Sequence, residues 1–284
     1  MPVNYSIQTL LKQGNKQLET ISDSPYLDAE LLLAHCLNKT KTYLHTWPEK
    51  ELDKKQLNCF QNLIAKRLTD YPVAYLLGKK SFWTFELTVT PDVLIPRPET
   101  ELLVEVALDK IKEIKNPKIL DLGTGSGAIA LALAYERKDA IITATDQSLK
   151  ALEVAKSNAE TLKLDQQISF IQSDWFERIT ESSFDSFDLI VSNPPYIDPN
   201  DDHLKGTIKY EPQSALVAEN KGLSDLEKII QKSHLFLKTG GWIILEHGFD
   251  QAGKTKLLFS QSNHKNIQTH IDLNELNRIT LGQL

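Results

Sequence analysis

From residue 99 onward the chain alternates short apolar, β-prone runs with helical stretches, and this alternation constrains the fold more than anything else in it. Lys118-Ile119-Leu120-Asp121-Leu122 reads as a buried strand, followed by a helix rich in Ala and Leu. Ala140 to Thr145 is a second strand, with a helix through Leu152, Ala155 and Ala159 after it. Residues 168–171, 187–192 and 241–245 supply three more strands. Strands separated by helices form a parallel, doubly wound sheet. The last two runs, Ile267 to Ile271 and Arg278 to Leu281, follow one another without a helix, so a hairpin is expected at the sheet edge.

The segment before residue 99 has a different character. Leu57, Phe60, Ile64 and Leu68 lie on one face of a helix that Asp53 can cap. Leu27, Leu31 and Ala34 repeat the pattern after Pro25, with Asp28 and Glu30 placed in the favourable first turn. Phe82, Trp83, Phe85, Leu87 and Val89 are β-prone and bounded by Gly78 and Pro91. The expected organisation is a helical domain over 1–75, a β-hairpin linker over 76–98 and an α/β domain over 99–284.

Ligands of open α/β sheets bind beyond the carboxyl ends of the strands, where the strand order reverses. Asp121-Leu122-Gly123-Thr124-Gly125-Ser126-Gly127 stands at such a place, after the first strand. Asp146 ends the second strand, where a carboxylate can accept both hydroxyls of a ribose. The pattern Gly123-x-Gly125-x-x-Ala128 also fits a dinucleotide fingerprint. Two features favour S-adenosylmethionine over NAD. Asp121 precedes the first glycine and suits a cationic amine, and Ser173-Asp174-Trp175 offers a polar acceptor and a flat ring for adenine. Trp175 could equally anchor its loop, and Asp174 could be a helix N-cap.

Asn193-Pro194-Pro195-Tyr196 closes the fourth run of this domain. Asn193 and Pro194 each precede a proline and are biased toward extended geometry. The Asn193 amide oxygen and the Pro194 carbonyl then become two acceptors side by side, with the Tyr196 ring next to them. That set suits a planar –NH2 group, from a side-chain amide or from the exocyclic amine of a base. A Pro-Pro pair can also be no more than a rigid turn.

Composition narrows the options. The chain has 284 residues, 41% hydrophobic and 25% charged, with net charge −6. A duplex DNA-binding surface is usually basic, so this balance weighs against direct nucleic-acid binding. No apolar run approaches a membrane span, and Met1 to Ser6 lacks the start of a secretory signal. Cys36 and Cys59 are expected as two buried thiols of a reducing, cytoplasmic compartment. His247 is expected to be satisfied locally, and no metal-ligand spacing occurs.

Together, Asp121 to Gly127, Asp146, Ser173-Asp174-Trp175-Phe176 and Asn193 to Tyr196 resemble the class I S-adenosylmethionine methyltransferases, with their Rossmann-like sheet. Within that class the chain is similar to the release-factor glutamine methyltransferases, the HemK/PrmC family. Leu94 to Glu99, Leu245-Glu246-His247-Gly248 and Asp28-Ala29-Glu30 extend the resemblance over essentially the whole length. The resemblance implies methylation of the Gly-Gly-Gln glutamine of peptide chain release factors 1 and 2, with S-adenosyl-L-methionine as cofactor. It implies that Gly123, Thr124, Gly125, Ser126, Gly127, Asp146, Trp175 and Asn193 bind the cofactor. Asn193, Pro194, Pro195 and Tyr196 would hold the glutamine, with Asn193, Pro194 and Tyr196 catalytic and no metal. A cytoplasmic monomer with no nucleic-acid or membrane partner is expected. The residues themselves leave other readings open: an adenine-N6 DNA methyltransferase, an enzyme modifying a ribosomal-protein glutamine, or a nonenzymatic cofactor-binding module.

Overall fold

The structure is a computed structural model that describes residues 5–180 and 186–284; the first four residues of the N-terminal stretch read above lie outside them. The chain separates into two compact units, one of residues 1–79 with 205–210, the other of 80–204 with 211–284.

The first unit is helical: α1 (Ile7–Leu18), α2 (Pro25–Leu37), α3 (Lys41–Thr46), α4 (Lys54–Arg67) and α5 (Val73–Leu77). Asp53 caps α4 as expected, and Gln56 closes a capping box with it. Leu10, Leu11, Leu32, Leu33, Phe60 and Ile64 form a continuous core, each buried side chain contributing roughly 1.5–3 kcal/mol. Asp28 and Glu30 do more than favour a helix terminus. Asp28 is buried and accepts from Arg67 Nε at 2.9 Å and from Ser22 at 2.8 Å, while Glu30 meets His45 Nε2 at 2.6 Å. Residues 205–210 complete this unit through Tyr210, which donates to the Thr69 carbonyl and sets its ring edge-on to Tyr71.

One expectation is corrected in this unit. Cys36 and Cys59 are not two separate buried thiols: they pair as a disulfide joining α2 to α4. Their Cα atoms are 5.8 Å apart, inside the range a disulfide spans, and both residues are only partly buried. Leucine-rich helical patterns reveal burial but not that two such patterns face each other.

In the second unit β1 (Lys79–Phe82) and β2 (Phe85–Thr88) pair as a hairpin. Then come α6 (Thr100–Ile111), β3 (Lys118–Leu122), α7 (Ala128–Glu136), β4 (Ile141–Asp146), α8 (Leu149–Leu162), β5 (Ile168–Gln172) and β6 (Phe187–Ser192). A turn-like α9 (Glu219–Gly222), α10 (Ser224–Ser233), β7 (Leu237–Glu246), α11 (Ala252–Gln261), β8 (Lys265–Ile271) and β9 (Asn277–Gln283) follow. The seven-stranded sheet has the order β5-β4-β3-β6-β7-β9-β8. Its first five strands are parallel, and β9 joins antiparallel to β7 and β8.

This is the mostly parallel, doubly wound sheet with an antiparallel C-terminal hairpin that the alternation required. Every residue of β6 is buried, as a central strand covered on both faces demands. Order reverses between β3 and the pair β4 and β6 that flanks it, so the turns after β3, β4 and β6 open toward one crevice. Ser192 Oγ donates to the Leu122 carbonyl at 2.6 Å, fastening the ends of β6 and β3 together.

Candidate active site

A cavity of about 430 Å³ lies beyond those strand ends. Gly123, Gly125, Asp146, Trp175, Asn193 and Pro195 all line it. Four turns separated by up to 70 positions in sequence thus converge on one space, as the switch-point rule requires.

The glycine turn is built around Asp146. Its Oδ2 accepts the Gly125 N–H and its Oδ1 the Ser148 N–H, both at 2.9 Å. A carboxylate has about four lone-pair sites, so capacity remains on the cavity side. Gly125 has φ +57°, and no atom lies within 4 Å of where a Cβ would stand, which leaves its backbone bare to the cavity. At Gly123 an added Cβ would meet the Trp175 ring at 3.3 Å; the indole lies against the turn.

The remaining turn residues face inward. Thr124, Ser126 and Gly127 are buried and do not line the cavity. Thr124 Oγ1 donates to Asp121 Oδ2 at 2.6 Å, and Asp121 Oδ1 has no hydrogen-bond partner. Asp121 is wholly buried beneath the turn, so it shapes the loop rather than the cavity wall.

At the end of β6, Asn193 Nδ2 donates to Thr100 Oγ1 at 3.2 Å. Thr100 Oγ1 in turn donates to Glu246 Oε2 at 2.7 Å. Neither Asn193 Oδ1 nor the Pro194 carbonyl takes part in a hydrogen bond among the described residues. Pro194 is buried and Tyr196 half-buried; Tyr196 donates its hydroxyl to Glu246 Oε1 at 3.3 Å. Burial, and next the neighbouring Glu246, hold the Tyr196 hydroxyl above the usual phenol range. The Tyr196 carbonyl accepts from Gln251 Nε2 at 2.9 Å. A Cβ on Gly222 would stand 2.0 Å from that same oxygen, a place only glycine can occupy.

Sequence reasoning missed these supports. Thr100, Gln251 and Gly222 lie in segments with no recognisable chemistry, and Glu246, although within a stretch that carries the family resemblance, is given no role by it. Glu211 is another: it is 4% exposed, accepts the Ile95 N–H at 2.9 Å and pairs with Arg97, which fixes the Leu94 to Glu99 segment. A buried carboxylate is the signal at Glu246 and Glu211, and sequence does not display burial. His247 behaves as expected, with Nε2 at 2.7 Å from Thr280 Oγ1 and Nδ1 at 2.8 Å from the Gly248 carbonyl.

Electrostatics in the site are dominated by desolvation. Burial pushes Asp121 and Glu246 each up to about 7, partly opposed by the hydroxyls of Thr124 and Thr100. Burial also raises Asp146. An acid whose folded pKa exceeds its unfolded value gives stability that is lost as pH rises through the folded value. His247, His264 and His270 are lowered by burial, and they oppose that trend until about one unit above the free value near 6.5. The Glu246 contribution is therefore read as a difference: the thermal midpoint of the ligand-free protein relative to that of Glu246→Gln is expected to fall from about pH 5 to pH 8. A difference that does not change with pH in differential scanning calorimetry counts against a raised Glu246.

Residues 9–78 match the PrmC N-terminal domain model, and residues 98–223 match the methyltransferase small domain model. A release factor glutamine methyltransferase from Aliivibrio fischeri is 46% identical, covering 99% of this chain and 98% of its own. One from Shewanella oneidensis is 47% identical over 98% and 96%. The chain belongs to the release factor glutamine methyltransferase family. Members of this family and this chain thus align from end to end, through the helical unit as well as the sheet. Among solved structures, the 16S rRNA N2 G1207 methyltransferase of T. thermophilus, in complex with AdoMet and guanosine, shares the fold at 19% identity. Its TM-score is 0.52, covering 72% of this chain and 49% of that one.

Proposed function

We propose that this enzyme transfers the methyl group of S-adenosyl-L-methionine to the side-chain amide nitrogen of the Gly-Gly-Gln glutamine in peptide chain release factors 1 and 2, supporting translation termination. The observation that carries the reading is Asn193 itself. Its amide nitrogen is spent on Thr100 while its oxygen accepts no hydrogen bond among the described residues, and Asn193 lines the cavity that Asp146 and Gly125 also line.

The residues present fit the cofactor. Asp146 has lone pairs to accept ribose hydroxyls, the bare backbone at Gly125 permits close approach, and the Trp175 ring offers a face for adenine. Thr124, Ser126 and Gly127 support this by holding the turn. When bound, S-adenosyl-L-methionine supplies an electrophilic methyl group on a sulfonium.

The protein's task is to make an amide nitrogen attack. That nitrogen is a poor nucleophile because its lone pair is delocalised into the carbonyl. Asn193 Oδ1 and the Pro194 carbonyl each accept one of its two N–H bonds, which raises electron density on nitrogen and stabilises the positive charge developing there. The same two bonds orient the nitrogen for in-line attack. Pro195 stiffens the turn, and Tyr196 packs on the amide plane. The methylated amide cation then loses its proton to water.

In the same reading, residues 1–75 recognise the release factor, 76–98 link, and 99–284 carry the chemistry. Acting on release factors places the enzyme in the cytoplasm, as a monomer with no nucleic-acid partner; the paired Cys36 and Cys59 remove the thiol argument for that placement. Among the described residues no helix is long and apolar enough to cross a membrane.

The experiment is direct. Methyl-labelled cofactor is incubated with the purified enzyme and either intact release factor or duplex DNA. Label on the Gly-Gly-Gln peptide after proteolysis is expected; label on adenine instead would overturn the substrate assignment.

A further inference from the structure

An asparagine can present its carboxamide either way round, and only one orientation serves as an acceptor for a substrate –NH2. The two ends differ in chemistry but hardly in shape, so packing does not choose between them. The choice must come from hydrogen bonding. Asn193 touches Thr100 Oγ1, and a threonine hydroxyl can donate or accept, so by itself it does not choose either.

Glu246 breaks the tie. It sits at the end of β7, 1% exposed, with Oε2 at 2.7 Å from Thr100 Oγ1. Once ionised, above the value of about 7 to which burial raises it, Glu246 is acceptor-only, so the single Thr100 proton then points to Glu246. Thr100 Oγ1 then has only lone pairs to offer Asn193, which must turn its Nδ2 toward Thr100 and its Oδ1 away. The other carboxylate oxygen accepts from the Tyr196 hydroxyl. One buried carboxylate therefore sets both ends of the Asn193-Pro194-Pro195-Tyr196 turn.

We propose that Glu246 and Thr100 are positioning residues that lock the Asn193 carboxamide with its oxygen toward the substrate, so that the buried carboxylate makes the site selective for an –NH2 acceptor. The inference rests on Asn193 being the substrate acceptor, as argued above. Neither residue touches the substrate. Their effect passes along one chain of directed hydrogen bonds: Asn193 Nδ2–H to Thr100 Oγ1, then Thr100 Oγ1–H to Glu246.

Two replacements at Thr100 separate this role from packing. Valine keeps the volume and removes the hydroxyl; serine keeps the hydroxyl and removes a methyl group. Thr100→Val is expected to lower kcat about 10- to 100-fold, the scale on which misorientation acts, with cofactor Kd unchanged within a few-fold. Thr100→Ser should restore kcat to within a few-fold of the original. If Thr100 only filled space, the order would be reversed.

A second readout needs no substrate. In 15N-labelled full-length protein, hydrogen exchange at the Asn193 side-chain amide should be slowed in the original and in Thr100→Ser, and fast in Thr100→Val. The inference is overturned if Thr100→Val keeps full kcat, if serine fails as badly as valine, or if the amide exchanges equally fast in all three. Should the original enzyme leave release factors unlabelled, the functional reading fails, while the exchange rates still decide the orientation of Asn193.

Discussion

Asn193→Ala is expected to reduce turnover at least about 100-fold, the usual cost of removing one preorganised group that stabilises developing charge. Cofactor affinity should fall far less, because Asp146 and the glycine turn remain intact. The loss comes from one of two acceptors on the amide nitrogen, so it belongs in kcat rather than in cofactor binding. Asn193→Asp is the sharper version. Aspartate keeps an acceptor toward the substrate but has nothing to donate to Thr100 Oγ1, which already gives its proton to Glu246. Oxygen would then face oxygen at the 3.2 Å separation now occupied by a hydrogen bond. Stopped reactions with labelled cofactor, alongside calorimetric titration of cofactor binding, separate the two quantities. Retained turnover in Asn193→Ala would falsify the two-acceptor mechanism.

Gly222→Ala is the second large effect, and it acts on backbone. Gly222 has φ +76°, and an added Cβ would stand 2.0 Å from the Tyr196 carbonyl oxygen and 2.6 Å from its carbon. Neither chain can yield by a rotamer change. Since Gln251 Nε2 also holds that carbonyl and the Lys221 carbonyl, the substitution has to push the Asn193 to Tyr196 turn out of place. Left-handed strain alone costs about 1–3 kcal/mol, and the contact adds to it. A displacement of the order of 1 Å at a reacting group costs about 100-fold in rate.

Gly240→Ala is the control. Its φ is +82°, yet the nearest atom to an added Cβ is Gln283 Nε2 at 3.9 Å. It should lower the melting temperature through strain while leaving kcat intact. Equal losses of kcat in the two variants would show that contact with Tyr196 is not what matters.

The sheet was readable because its strands are buried on both faces and so appear as unbroken apolar runs. Lys118–Leu122 and Phe187–Ser192 were found to the residue. Strand β7 begins at Leu237, four residues earlier than its apolar run suggests. It pairs there through an irregularity in register that no periodicity announces. That Gly123, Gly125, Asp146, Trp175 and Asn193 would meet at one cavity was also legible, because each stands at or just beyond the carboxyl end of a strand of one parallel sheet.

What stayed hidden shares one property: it depends on a partner far away in sequence. Thr100 and Glu246 are 146 positions apart, and Ile95 and Glu211 are 116 apart. Asp28 looks like a residue suited to a helix terminus until Arg67 is seen against it. Cys36 and Cys59 look like two thiols until α2 and α4 are brought face to face.

The fastening of β6 to β3 has a further consequence. Leu122 and Ser192 are register partners, so Gly123 and Asn193 are the first residues beyond two paired strand ends. The gap between the proposed donor and acceptor pockets is thus measured by the spacing of neighbouring strands, about 4.8 Å, rather than by any loop. Loops on this framework can lengthen, shorten or exchange without altering that gap. Substrate choice can drift over evolutionary time through the loops and the appended helical unit, while the reaction distance is inherited unchanged with the sheet.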